Sequence, residues 1–216
     1  MSDFKPALFA QFAAIGKALS NANRLLLLDY LAQAERNVES LAGLAGLSVA
    51  NTSHHLQHLR RAGLVVHRRE GKQVFYRPSG DDCLALVAAL RSVGERNLDE
   101  VNALVSAHLR PHDALEPVTA EELEGLLEQD RATVIDVRPP DEFAAGHLPG
   151  AVNVPPDQLD ERLPRLADGK EVVAYCRGPY CVYSFEAVAR LRQAGYRARR
   201  LEYGYPEWRL HHRETH

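Results

Sequence analysis

The 216-residue chain has only three cysteines, one methionine and one tryptophan. Three unevenly spaced thiols cannot build a disulfide framework, so stability must come from an apolar core. No apolar run approaches the ~18–20 residues needed to cross a bilayer, and the N-terminus lacks the basic-then-apolar pattern of a secretion signal. This predicts no membrane role and a cytoplasmic location, where a cysteine is reactive, metal-bound or simply buried. There is no internal repeat and no low-complexity segment. The composition is 45% hydrophobic and 25% charged, enough to form a core. The length suits one large domain or two small ones.

The net charge of −3 is unevenly distributed. Residues 1–113 carry 13 Lys/Arg against 11 Asp/Glu, whereas residues 114–216 carry 13 against 18. Between Ser48 and Gly80, Arg60, Arg61, Arg68, Arg69, Lys72 and Arg77 face the single acid Glu70, among four histidines. Such a local excess of positive charge points to an anionic partner.

Residues 110–117 contain two prolines and no periodicity. They divide the chain into an expected domain at 1–110, a linker at 111–117 and a second domain at 118–216. The first domain reads as helical. The pattern predicts helices over Phe4–Leu19, Leu25–Ala34 with Asn21 or Asn23 as cap, and Val38–Leu44 stopped by Gly46. Ser48 caps a fourth helix that ends at Ala62-Gly63. Two β-like runs, Leu64–Arg69 and Gln73–Arg77, flank a Glu70-Gly71-Lys72 turn. One long last helix is expected from Asp81 to about Ala107.

Helix, short turn, helix, hairpin is the order of a winged helix-turn-helix. On the fourth helix Thr52, Leu56, Leu59 and Gly63 form an inward stripe. Asn51, Ser53, His54, Gln57 and His58 then face outward, as short polar groups that can read base edges in a major groove. Arg60 and Arg61 at the helix end, with Arg68, Arg69 and Lys72 on the hairpin, are placed to meet phosphates.

The stretch Leu47–Val65 resembles the recognition helix of ArsR/SmtB-type regulators, and Arg68-Arg-Glu-Gly-Lys-Gln-Val-Phe-Tyr76 is similar to their wing. The resemblance covers roughly Phe4–Leu109. It implies a homodimer built on the first and last helices that binds an inverted repeat in promoter DNA, usually as a repressor. Many members carry a Cys-x-Cys pair on the third helix, where this chain has Asn37 and Glu39. The last helix offers Asp81, Asp82, Cys83, Glu95 and His108 without the family's His spacing. No metal site and no cofactor are therefore expected, since soft metals need converging thiolates or imidazoles. Cys83 reads as a buried thiol or, alternatively, a sensing one.

After the linker, Thr119 can cap a helix over Ala120–Gln129, with Glu122 at the capping-box position. Thr133–Val137 and Glu171–Tyr175 read as buried strands and Val182–Ala194 as a helix. Alternating short strands and helices predict an α/β domain with a parallel sheet. Cys176 falls at the carboxyl end of a strand, where such sheets place ligands. Inward-facing loop amides, the following helix dipole and Arg177 would each favour its thiolate.

Asp136–Pro155 resembles the first signature of rhodanese domains, Tyr175-Cys176-Arg177-Gly178 their active loop, and Gly204-Tyr205-Pro206-Glu207-Trp208 their closing motif. Tyr203 stands where that motif has a first glycine. The resemblance implies that Cys176, with Arg177 and the loop Arg177, Gly178, Pro179, Tyr180 and Cys181, takes a sulfane sulfur from a donor. The persulfide would be held by the loop amides and passed to a thiol acceptor. Phosphatases and arsenate reductases on this fold need an arginine six positions after the nucleophile, and Val182 stands there. Within the first signature, Asp136, Arg138, Glu142 and His147 can be read as an acid/base set; the favoured reading is structural, with Arg138 and Glu142 as an ion pair and Asp136 and His147 as partners of backbone groups. Cys181 either attacks a persulfide on Cys176, giving a disulfide, or packs at the helix start. The terminal Leu210–His216 reads as a frayed end.

The combined expectation is a transcriptional regulator whose rhodanese domain senses or transfers sulfane sulfur. Two other readings stay open. One is a sulfurtransferase enzyme with an autoregulatory DNA-binding domain. The other is a regulator whose rhodanese domain binds an oxyanion such as arsenate.

Overall fold

The computed structural model describes residues 3–109, 116–166 and 169–213. It divides into two compact units, Met1–Val87 and Ala88–His216.

In the first unit, α1 (Phe4–Leu19), α2 (Ala22–Gln33), α3 (Val38–Ala45) and α4 (Val49–Arg61) precede a hairpin, β2 (Val65–Glu70) and β3 (Gln73–Pro78). Each helix start is fixed by a short polar side chain that satisfies an otherwise orphaned amide. Asn21 accepts from the Arg24 amide, Asn37 from Ser40 and Ser48 from Asn51. Gly46 ends α3 at φ +64°, a left-handed conformation that costs glycine nothing. Leu27, Leu28 and Leu31 of α2 meet Leu41 of α3 and Leu56 and Leu59 of α4 in one buried cluster. Each buried leucine contributes roughly 1.5–3 kcal/mol. The hairpin pairs Glu70 with Gln73 across Gly71, and a two-residue strand β1 (Arg36–Asn37) adds to β3, giving the antiparallel order β1-β3-β2. At two residues, β1 is too short to show any periodicity in the sequence.

The expected single last helix is two helices, α5 (Asp81–Asn97) and α6 (Asp99–His108). Leu98 between them is extended, at φ −115° and ψ 107°. Its amide closes α5 on Gly94, its carbonyl opens α6 toward Val101, and Asp99 and Glu100 load the new helix start with negative charge. Cys83, Leu84 and Val87 of α5 are buried, Cys83 and Val87 of them in the first core. The later part of α5, with α6, belongs to the second unit. The division by compactness therefore falls inside α5, earlier than the expected 111–117 linker, of which residues 111–115 lie outside the described residues.

The second unit continues with α7 (Ala120–Glu128), β4 (Ala132–Asp136), α8 (Pro140–Ala145), β5 (Val152–Asn153), α9 (Leu159–Leu166), β6 (Glu171–Tyr175), α10 (Val182–Gln193), β7 (Ala198–Arg200) and α11 (Tyr205–Arg213). The four strands are parallel in the order β5-β4-β6-β7. Such a sheet is covered on both faces, and two buried clusters do this. One joins Ile135, Val172 and Ala174 to Val188 and Leu191 of α10, and the other joins Val134 and Val173 to Leu123 of α7 and Leu201. Thr119 caps α7, but the Glu122 carboxylate accepts from Arg199 at 2.6 Å, so the capping box is only half formed. Of the end expected to fray, Leu210–Arg213 belong to α11. His212 stacks on Trp208 and reaches Glu124 at 2.9 Å. His216 lies outside the described residues.

Candidate functional site

Two surfaces carry chemistry. The first is α4 with the hairpin. Thr52, Leu56 and Leu59 are buried, leaving Asn51, His54, Gln57, Arg60 and Arg61 exposed and Ser53 and His58 half-buried. One turn apart, the Nε2 atoms of His54 and His58 are 3.2 Å from each other. Arg60 reaches the His67 ring. Arg68 is committed elsewhere, bonding Glu35 at 2.8 Å and Glu70 at 2.6 Å over the Phe75 ring. Among the described residues no carboxylate pairs with Arg69 or Lys72, which extend from the exposed wing. Arg68 is thus the one expected phosphate contact whose charge is already answered.

The second surface is the loop after β6. Strand β6 lies inside the sheet, so Cys176 emerges at the carboxyl edge between neighbouring strands. It is 1% exposed and disulfide-bonded to half-buried Cys181, with Cα atoms 6.0 Å apart. The spacing left disulfide and packing open; the structure has the bond. The Cys181 amide donates to the Gly178 carbonyl, so it is not among any inward-facing loop amides. The Cys181 carbonyl accepts from both the amide and the hydroxyl of Ser184, tying the loop to α10.

Several side chains hold this loop in shape. Arg177 forks onto buried Glu142 at 2.8–3.1 Å. Gly204 lies against the peptide between Arg177 and Gly178, where an added Cβ would come within 2.4 Å of backbone atoms. Glu207 accepts from the Gly204 amide with one oxygen and from Arg91 of α5, at 2.7 Å, with the other. The Tyr180 hydroxyl donates to Glu95, also on α5, and its own ionisation is suppressed by burial and by that carboxylate. Sequence reasoning missed the roles of Arg91 and Glu95. Each partner lies 85 or more positions away, and no local pattern reports such pairs.

The first-signature residues form the buried scaffold. Arg138 and Asp136, both 0% exposed, fork together, and Asp136 also accepts from the Arg138 amide. The Arg138 guanidinium sits over the Tyr175 and Tyr205 rings and donates to the Gly146 carbonyl. His147 bonds the Phe143 carbonyl and stacks on that ring. Tyr203 packs beside His211. Cys83 is buried, and desolvation pushes its thiol up to about 11, away from the thiolate. Among the described residues no three His, Cys, Asp or Glu side chains converge as a metal would require. No helix among them is long and apolar enough to cross a membrane.

The bacterial regulatory protein family of the arsR type matches residues 21–66, and the rhodanese-like domain family matches residues 119–211. The HTH-type transcriptional regulator Rv0324 of Mycobacterium tuberculosis is 44% identical over 97% of this chain and 92% of its own length. The chain belongs to the ArsR-type transcriptional regulators that carry a C-terminal rhodanese domain. Nodulation protein NolR of Rhizobium meliloti is 38% identical over 39% of this chain and 69% of its own length. A solved fragment of Mb0332 from Mycobacterium bovis, described as a homodimeric winged helix-turn-helix DNA-binding domain, is 45% identical over 45% of this chain and 91% of that one, with a TM-score of 0.43. In this ArsR-type regulator, then, α2, α3 and α4 fall within the matched arsR-type region, and the Cys176 loop falls within the matched rhodanese-like domain.

Proposed function

We propose that this regulator responds to sulfane sulfur at Cys176 and that Cys181 converts the signal into a disulfide. The bond between these two cysteines, at the sheet edge, carries the reading. In the reduced protein the Cys176 thiolate attacks the outer sulfur of a donor persulfide. The donor leaves as a thiol, and Cys176 becomes a persulfide. The Cys181 thiolate then attacks the inner sulfur, the Cys176–Cys181 bond forms, and the terminal sulfur departs as hydrogen sulfide. A reductant thiol resets the loop by entering at Cys181, the more exposed residue of the pair.

On the DNA side, Asn51, Ser53, His54 and Gln57 would meet base edges, and Arg60, Arg61, Arg69 and Lys72 phosphates. On α1, Phe4, Leu8, Phe9 and Phe12 stay 38–71% exposed, an apolar stripe too costly to leave in water. A second copy of the chain is its occupant in this reading, and a dimer suits an inverted repeat.

The test is intact-protein mass spectrometry after a persulfide donor is added to reduced parent and to Cys181→Ser. The parent should release one sulfide and end as the disulfide, whereas Cys181→Ser should stop at the Cys176 persulfide. Rapid multiple turnover to a thiol acceptor would instead favour a sulfurtransferase enzyme.

A further inference from the structure

The first unit has a hollow of about 320 Å³ beside α4, lined by Ala14, Lys17, Ala18 and Ser20 of the α1 end, Arg24 of α2, and His58, Arg61 and Ala62 of α4. Three cations line it and no carboxylate does. Among the described residues Lys17, Arg24 and Arg61 pair with no acid. The Arg24 guanidinium is fixed by donating to the Ala18 carbonyl and to the Lys17 carbonyl, which also accepts from the Ser20 hydroxyl, at the end of α1. Its charge is therefore held in place but not neutralised. His58 responds to this field: burial, then the charges of His54, Arg24, Arg61 and Lys17, push its imidazole toward the neutral form. An unanswered concentration of positive charge in a concave site seats an anion.

We propose that this hollow is a phosphate seat for the DNA backbone, with Lys17 and Arg24 as contacts outside the helix-turn-helix itself. The seat rests on the DNA-binding reading of α4. That helix rises ~1.5 Å per residue, which puts Arg61 about 15 Å along the axis from the base-reading position at Asn51. A major groove is ~12 Å wide, so a helix whose N-terminal turn reads bases carries its last turn to the flanking phosphates. The hollow opens at that last turn. Arg68, paired with Glu35 and Glu70, is the poorer phosphate ligand, and the α1–α2 corner adds Lys17 and Arg24 as further cations that pair with no acid among the described residues.

A free inorganic anion has the same chemistry, so the experiment separates the two sources. Affinity of the full-length protein is measured against a duplex from upstream of its own coding region and against a scrambled duplex, across NaCl concentrations. Lys17→Gln, Arg61→Gln and the conservative Lys17→Arg are compared with the parent, with Arg131→Gln in the second unit as a charge control. Each phosphate contact contributes about 0.9 to the slope of log affinity against log salt. Lys17→Gln and Arg61→Gln should each lower the slope by about that much, equally on both duplexes. The affinity gained between 200 and 50 mM salt then shrinks about 3.5-fold per variant. Lys17→Arg and Arg131→Gln should keep the parent slope. Parent-like slopes for Lys17→Gln and Arg61→Gln overturn the proposal. If, in addition, inorganic phosphate at constant ionic strength stabilises the parent but not Lys17→Gln, the hollow serves a free anion. A parent that binds neither duplex overturns the DNA-binding reading and the seat together.

Discussion

At the scale of single residues, the cysteine loop depends on atoms that leave no room for change. Gly204 has no side chain because the Arg177–Gly178 peptide fills that space. Gly204→Ala should lift the loop or strain it, costing about 1–3 kcal/mol as overpacking does. Urea unfolding monitored by the single tryptophan, Trp208, will report it. A denaturation midpoint equal to the parent's would show that the loop yields freely. In the first unit, His55 has its imidazole pushed below the ordinary value of 6.5, chiefly by burial and then by Arg24, and its Nδ1 is buried with no hydrogen-bond partner. The unfolded chain thus binds the proton more tightly than the folded one. Stability is held above pH 6.5 and is lost as the pH falls below it. Thermal midpoints at pH 7.5 and 5.5 should show this drop, and His55→Asn should reduce it. The closeness of Cys176 and Cys181 was legible because both sit in one short segment, and the burial of Thr52, Leu56 and Leu59 because they follow the helical period. The sequence paired Arg138 with Glu142, whereas the structure gives the forks Arg138–Asp136 and Arg177–Glu142, since one chain with several arginines and carboxylates does not say which pairs meet.

At the scale of elements, caps and turns were the most readable features. Asn21, Ser48, Gly46 and Thr119 all act where local chemistry places them. The break at Leu98 was not readable, because Gly94 to Val101 contains no proline and its apolar positions continue the helical period. Helix α5 brings Arg91 and Glu95 to the rim of the cysteine loop, where they hold Glu207 and Tyr180. Tyr180→Phe removes one of these ties, and a hydrogen bond contributes ~0.5–1.5 kcal/mol. Amide exchange over residues 91–97 should accelerate about 2- to 10-fold in this variant. Opening the disulfide in the parent should produce a change in the same segment. Unaltered exchange in both would show that the loop does not hold α5.

At the scale of the whole molecule, the chain joins an ArsR-type helix-turn-helix region to a rhodanese domain, and both were expected from sequence motifs that resemble those families. Compactness divides the chain inside α5, because the helix beyond Val87 finds its partners in the second unit. A sensor of this kind requires that the state of Cys176 alter DNA affinity, and couplings between sites typically span 5- to 150-fold. The most direct measurement is the affinity of the reduced full-length regulator for its own promoter DNA, at fixed salt, before and after a persulfide donor. Cys176→Ser and Cys181→Ser are run beside the parent. The account predicts a shift of at least about fivefold in the parent and none in Cys176→Ser. An unchanged affinity in a parent whose Cys176 has been fully converted would contradict it.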